Sequence, residues 1–240
     1  MQPKISVVTV CRNAKDLLMQ TVRSVESQDY ADLEYIVVDG ASSDGSLKVI
    51  ESCGCVAKWV SEPDKGIYDA MNKGCRMATG DWILFLNAGD TFASADVVAR
   101  LARDIAENPD VDVVYGDVIR SGDSEELKKA SPTLKPHRLA FCHQSVICRR
   151  KLLEENPFDI SHRYSADFKF FKILEKKGCG FKYAAFPVAR FDVSGISTVE
   201  RSSGLADNIR VIRETDGLVK GLPAIMHLLP TYLISRIRGK

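Results

Sequence analysis

Ile5-Ser6-Val7-Val8-Thr9-Val10 is an apolar run that ends in the polar loop Cys11-Arg12-Asn13, and the same figure recurs three times before residue 91. Glu34 to Val38 leads into Asp39-Gly40-Ala41-Ser42-Ser43-Asp44-Gly45. Ala57 to Ser61 leads into Glu62-Pro63-Asp64-Lys65-Gly66, and Trp82 to Leu86 into Asn87-Ala88-Gly89-Asp90. Helical spacing fills the gaps. Leu17, Leu18, Thr21, Val22 and Val25 share one face, with Asn13 placed to cap it; a short helix starts at Ser46. Ile67, Ala70, Met71, Gly74 and Cys75 share a face of a third helix, up to Met77. Strands alternating with helices predict an α/β fold with a mostly parallel central sheet, and ligands of an open parallel sheet bind outside the carboxyl ends of its strands. All four loops are therefore expected along one edge, with Asp39, Asp64 and Asp90 facing one crevice.

The rest of the chain is consistent with one α/β domain plus an appendage. At 240 residues, 45% hydrophobic and 27% charged, it can bury a sizeable core. Ala95 to Glu107 reads as a helix, Val111 to Tyr115 as a strand, Ser121 to Lys135 as a solvated loop and Phe141 to Cys148 as a strand. Ala166 to Lys177 reads as a helix, with Phe181 to Phe186 and Ala189 to Val193 as closing strands. A formal net charge of +1 gives no electrostatic case for a nucleic-acid partner. Seven cysteines in no paired frame, after a start without a signal-peptide pattern, point to a reducing cytoplasm. Cys53-Gly54-Cys55 has no second pair or nearby histidine to complete a metal site and reads as structural thiols.

An edge carrying Asp39, Asp64, Asn87 and Asp90 suits a nucleotide with a divalent cation: carboxylates accept from base and ribose donors, and Mg²⁺ or Mn²⁺ takes one or two of them beside phosphate oxygens. Aspartate and glycine are also ordinary turn residues, but four such loops on one edge ask for more. The turn Cys11-Arg12-Asn13-Ala14-Lys15 has no glycine, and no G-x-x-x-x-G-K-[ST] occurs, which excludes dinucleotide-binding and P-loop readings.

These blocks, in this order, resemble a family 2 glycosyltransferase of the GT-A fold. The resemblance rests on Ile5 to Val10, Val38 to Gly45, Ser61 to Gly74 with its Glu62-Pro63-Asp64-Lys65-Gly66-Ile67-Tyr68-Asp69-Ala70-Met71-Asn72-Lys73-Gly74 run, Ala78 to Asp81, and Leu86 to Asp90. It covers the first hundred residues closely and continues more loosely to about Ser197. It implies that Thr9, Asp39 and Asp64 contact the nucleoside and that Asp90 is the retained aspartate of a D-x-D-like motif, holding Mn²⁺ or Mg²⁺. Many members have Asp-Asp where this chain has Gly89-Asp90, so one carboxylate is missing, and Asn87 beside it adds no charge. Asp167, in Tyr164-Ser165-Ala166-Asp167-Phe168, matches the position of the family's base, and a first-turn aspartate is also favoured by the helix dipole. His143 falls in a region that lines the acceptor side in relatives. Gly195-Ile196-Ser197 resembles the segment that closes over the donor phosphates.

The implied activity is an inverting, metal-dependent transfer of a sugar from a nucleotide diphosphate donor, with uridine favoured, to a saccharide or lipid-linked saccharide. Surface polysaccharide or O-antigen assembly is the implied setting. A sugar-phosphate nucleotidyltransferase, and a silent nucleotide-binding subunit lacking transfer, are the competing readings. Residues 1–216 are expected to form the catalytic domain, with a nucleotide-sugar half (1–118) and an acceptor half (119–216). Residues 217–240 form a basic, amphipathic extension. This tail has no acidic residue but carries Lys220, Arg236, Arg238 and Lys240 among large apolar side chains, with Pro223 and Pro230 expected to interrupt any spanning helix. It suits peripheral contact with anionic membrane on the cytoplasmic face, or packing on the domain.

Overall fold

The computed structural model describes residues 2–122, 125–192 and 201–237. Strand β1 (Ile5–Cys11) is buried along its whole length and pairs in parallel with β2 (Leu33–Asp39) on one side and β4 (Trp82–Phe85) on the other. Strand β3 (Lys58–Ser61) extends β2, so the four runs lie side by side and point the same way. The uniform apolarity of β1 and β4 follows from this position, because both faces of the sheet are covered.

Helix α1 (Lys15–Glu26) buries Leu18, Thr21, Val22 and Val25 against one face. It shares that layer with α2 (Ser46–Ser52) and α4 (Val97–Glu107), which begins two residues later than its sequence suggests. Helix α3 (Ile67–Met77) covers the opposite face through Ala70, Met71, Gly74 and Cys75. The fifth member of its apolar stripe is Tyr68; Ile67 is exposed. The third layer also holds α5 (Arg150–Glu155) and α6 (Ala166–Lys176).

Beyond β4 the sheet becomes mixed. Strand β5 (Thr91–Phe92) is short, β6 (Val113–Ser121) is long, and β7 (Glu126–Lys128) gives the polar 121–135 segment one short strand against β6. The strand expected over Phe141 to Cys148 is instead a 3₁₀ turn, His143–Ser145, followed by β8 (Val146–Arg149). The Ser145 hydroxyl bonds the carbonyls of Gly116 and Cys142 and holds that turn. Phe181 to Phe186 and Ala189 onward join as one strand, β9 (Phe181–Asp192), whose register against β6 slips where Pro187 faces Asp117. Proline has no N–H for the ladder, and a bulge is where a strand tolerates that. The order across the sheet is β3-β2-β1-β4-β8-β6-β9-β5, with β7 alongside β6.

The chain ends in α7 (Arg201–Ile237), which turns at Gly217 (φ 74°, ψ 172°) and passes through Pro223 and Pro230. The break thus falls at the glycine and not at the prolines expected to cause it. By length and composition alone α7 could cross a membrane. Ala224 and Leu228, however, pack in a small core with Phe168, Val211 and Ile212, while Leu218, Val219, Leu222, Met226, Leu233, Ile234 and Ile237 are exposed.

Candidate active site

The carboxyl ends of β1 to β4 do converge. Asp39 ends β2 and is fully buried. Its oxygens accept from the backbone N–H of Ser42 at 2.9 Å, the Ser61 hydroxyl at 2.6 Å, the Cys11 thiol at 3.5 Å and the Ser42 hydroxyl. Burial would raise this carboxyl, but the bonds from Ser42 and Ser61 outweigh it and hold the group below its ordinary value. Asp64 lies against the same loop: a Cβ at Gly40 would stand 2.5 Å from Asp64 Oδ2 and 3.3 Å from Arg12. Asp64 Oδ1 accepts from Gly66 N–H at 2.9 Å.

The loops after β1 and β2 are tied together. Asn13 (φ 48°) and Ala41 (φ 57°) are the non-glycine residues with positive φ among those described, a conformation that needs support from the surroundings. Asn13 does not cap α1; its Oδ1 accepts from Ser43 N–H at 2.9 Å. The first amides of α1 bond the loop after β2 instead, Lys15 N–H to Asp44 Oδ2 at 2.9 Å and Ala14 N–H to the Ser46 hydroxyl at 3.3 Å. Thr9 lies on β1, and its side chain faces away from the loops. Its side chain is buried behind the crevice, donating to the Leu86 carbonyl at 2.6 Å and accepting from Tyr35 at 3.0 Å. Cys11, two residues on, is the β1 side chain that reaches Asp39.

At the end of β4, Asp90 is buried and its N–H closes a turn onto the Asn87 carbonyl at 2.9 Å. The Thr21 hydroxyl of α1 holds this loop from behind, accepting from Gly89 N–H at 3.0 Å and donating to the Asp90 carbonyl at 2.8 Å. That clamp is invisible in the sequence because Thr21 reads as one more core position. Asn87 Oδ1 is buried with no hydrogen-bond partner. An unpaired hard oxygen three residues from a carboxylate fits a hard cation or a ligand hydroxyl.

A second cluster forms where α3, the 3₁₀ turn and α6 meet. Asp167, in the first turn of α6, accepts from the Tyr68 hydroxyl at 2.9 Å, and its Oδ2 lies 3.6 Å from His143 Nδ1. Burial, and then Asp167, push the Tyr68 phenol well above its ordinary value, so it stays a donor. His143 stacks on Phe85 with centroids 5.6 Å apart, near Phe158, and neither ring nitrogen has a hydrogen bond. Burial lowers its pKa and Asp167 opposes the shift, leaving a neutral imidazole at neutral pH. Phe85 is the last residue of β4, so the His143 turn lies beside the end of the strand that leads into the Asp90 loop. Asp207 of α7 fixes the approach to Asp167 by accepting from the N–H groups of Tyr164 and Ser165 at 3.0 and 3.1 Å. Gly195-Ile196-Ser197 lies outside the described residues.

One acidic group with metal-ligand spacing is separate from the Asp90 loop: Asp159, His162 and Glu214. Lys169 already sits between its carboxylates, 2.7 Å from Asp159 and 2.6 Å from Glu214. His162 is bonded to Asp207 at 2.7 Å and Glu214 at 2.9 Å. This cluster fastens α7 to α6. Cys53 and Cys55 lie together, Sγ to Sγ 3.0 Å, and belong to no group of three metal-ligating side chains among the described residues.

A carboxylate-lined edge on a doubly covered sheet with this strand order is the architecture of the GT-A fold. Residues 6–174 match the glycosyl transferase family 2 model, and the chain belongs to that family. A PGL/p-HBAD biosynthesis glycosyltransferase of Mycobacterium bovis is 34% identical over 177 residues, covering 70% of this chain and 68% of its own. A glycosyltransferase of Mycobacterium tuberculosis is 30% identical over 221 residues, covering 87% and 82%. Among solved structures, Staphylococcus aureus TarS 1–349 in complex with UDP superposes with a TM-score of 0.71 at 17% identity, covering 98% of this chain and 72% of that one. The mannosyltransferase PcManGT from Pyrobaculum calidifontis, with GDP-Man and Mn²⁺, gives 0.70 at 20% identity, covering 98% and 76%.

Proposed function

We propose that this glycosyltransferase moves a sugar, with inversion, from a nucleotide diphosphate donor to a saccharide or lipid-linked saccharide, and that Asp167 is the base. The observation that carries the reading is the Asp167 carboxylate. One oxygen is fixed by Tyr68, and the other faces a histidine that makes no hydrogen bond and stacks on Phe85, at the end of the strand that leads into the Asp90 loop. Asp39 and Asp64 bind the nucleoside, and uridine is the favoured base, in keeping with the UDP and UDP-GlcNAc complexes of TarS. Thr9 supports the wall from within the core.

Asp90, with Asn87 in its shell, would hold Mn²⁺ or Mg²⁺; such a cation supplies charge stabilisation to a leaving diphosphate. With one carboxylate, affinity for the free ion is weak until donor oxygens join the shell. The acceptor hydroxyl gives its proton to Asp167 as it attacks the anomeric carbon from the face opposite the leaving group, which gives inversion. Relatives named for PGL/p-HBAD and teichuronic acid biosynthesis support a cell-surface glycan as product. The exposed apolar face of α7 beside Lys220 and Arg236 supports peripheral contact with an anionic membrane from the cytoplasmic side.

Asp167→Asn tests this. Size and most hydrogen bonding survive, so donor affinity stays at the wild-type value while transfer falls by roughly 10²–10⁴-fold. Transfer at the wild-type rate, with a matched acceptor and metal, would pass the role to His143.

A further inference from the structure

No acidic residue occurs from Leu127 to Leu153, although the chain as a whole is nearly neutral. The structure folds part of that stretch around a cavity of about 140 Å³, lined by Lys128, Lys129, Lys135, Arg138, Ser131 and Cys142 among others. Among the described residues none of these four cations is in an ion pair. The nearby Glu125 and Glu126 are engaged by Arg190 and Arg120. His137, beside the cavity, is held below its ordinary value by burial first and then by His227, Arg138, Lys135 and Lys172. Four like charges gathered without counter-ions repel one another, and an anion is what such an arrangement favours.

The position of the cavity narrows the anion. Cys142 is part of its wall, with Lys128 Nζ 3.4 Å from the thiol. The next residue is His143, beside Asp167. Arg138, also in the lining of the cavity, follows His137, which meets His227 of α7 with ring centroids 4.1 Å apart. The cavity wall is therefore continuous along the chain with the turn that faces the base and with the histidine that touches α7.

We infer that this cavity binds the phosphate or diphosphate group of a phosphate-linked acceptor, while the sugar it carries reaches Asp167. The inference rests on the proposed transfer reaction and names its acceptor class. Lys135 and Arg138 contribute charge-assisted hydrogen bonds to the phosphate oxygens, and the volume admits a phosphate group with some of its water.

Inorganic pyrophosphate is the probe, titrated by calorimetry into full-length protein at low ionic strength. EDTA keeps divalent cations from the Asp90 loop. Wild type binds one equivalent, and Lys135→Gln/Arg138→Gln weakens that binding by about tenfold or more, whereas Asp64→Asn leaves it unchanged. Binding persists with saturating uridine diphosphate. The double variant melts at or above the wild-type temperature, since repulsion has been removed. Farnesyl diphosphate displaces the probe, and phosphatidylglycerol vesicles do not.

The inference is overturned by equal affinity in the double variant, by the absence of binding to wild type, or by displacement with uridine diphosphate, which would give the cavity to the donor. Displacement by the vesicles would assign it to a membrane headgroup and equally overturn the acceptor reading. The Asp167→Asn experiment reads transfer without pyrophosphate, so the two proposals fail separately.

Discussion

The two ends of β2 carry the same charge in opposite circumstances. At its start Glu34 accepts from the Ser6 hydroxyl at 2.7 Å, Thr79 N–H at 2.7 Å and the Thr79 hydroxyl at 2.8 Å, and pairs with Lys58 at 2.9 Å. At its end Asp39 is held by hydroxyls, a thiol and an amide, with no ion pair among the described residues. The loop after β4 adds the unpaired oxygen of Asn87, and the turn beside Phe85 adds the unpaired nitrogens of His143. The amino edge of the sheet closes its electrostatics internally; the carboxyl edge leaves them open to a ligand. Burial is shared by both residues, so the difference lies in the partners.

If the contrast is real, substitutions at the open edge cost function and those at the closed edge cost stability. The largest effect is expected at Asp90→Asn, where metal-dependent turnover falls by about 10²-fold or more with the melting temperature held. Donor hydrolysis with and without Mn²⁺ reads it, and unchanged turnover removes Asp90 from the site.

Glu34→Gln is next. Burial opposes ionisation of Glu34, but Ser6, Lys58 and Thr79 overcome it and lower its pKa from 4.5 to about 2. A carboxyl lowered on folding stabilises the native state fully above its unfolded pKa and loses that contribution as pH falls through its folded pKa. Wild-type stability should therefore fall between pH 4.5 and about 2 by up to about 3 kcal/mol from this group. Urea titrations at pH 7 and pH 3 should show the glutamine variant weaker at pH 7 and the gap narrowing at pH 3. A constant gap would mean that the glutamate carries no charge-dependent bond.

Asp39→Ala and Asp64→Ala should each weaken nucleotide binding by about 1.5–3 kcal/mol, the value of a charge-assisted hydrogen bond, in calorimetry against uridine diphosphate. Wild-type affinity in both would close the edge again. The smallest effect concerns α7. Leu222→Ser/Met226→Ser on its exposed face should weaken salt-sensitive sedimentation with anionic vesicles by roughly tenfold without moving the melting temperature. A drop in melting temperature would place those side chains in a protein contact.

The parallel half of the sheet was legible because strands and helices there follow the two simplest periodicities, and the loops after β2, β3 and β4 fall where connectivity demands. Asp39, Asp64 and Asp90 could be placed on that ground alone. Thr9 could not: alternation along β1 decides whether it faces the crevice or the core, and in a strand buried on both faces every residue is of the same character. His143 appeared to lie on a strand because Phe141 and Val146 are apolar on either side of it, while the turn is set by a distant partner, the Gly116 carbonyl. The basic cavity was hidden for the same reason, since its cations are spread from Lys128 to Arg138 in a segment that reads only as polar. In α7 the prolines were the louder signal and the glycine the effective one. Proline disfavours a helix interior without forbidding it, whereas Gly217 adopts a φ that other residues rarely do.

Gly40 gives the site a rule of inheritance. With a Cβ only 2.5 Å from Asp64 Oδ2, any larger residue at position 40 would push the Asp64 carboxylate out of its present place. Twenty-four residues apart in the text of the chain, the two positions are therefore tied in one direction: a side chain gained at 40 is felt at 64, whereas a smaller side chain at 64 leaves Gly40 undisturbed.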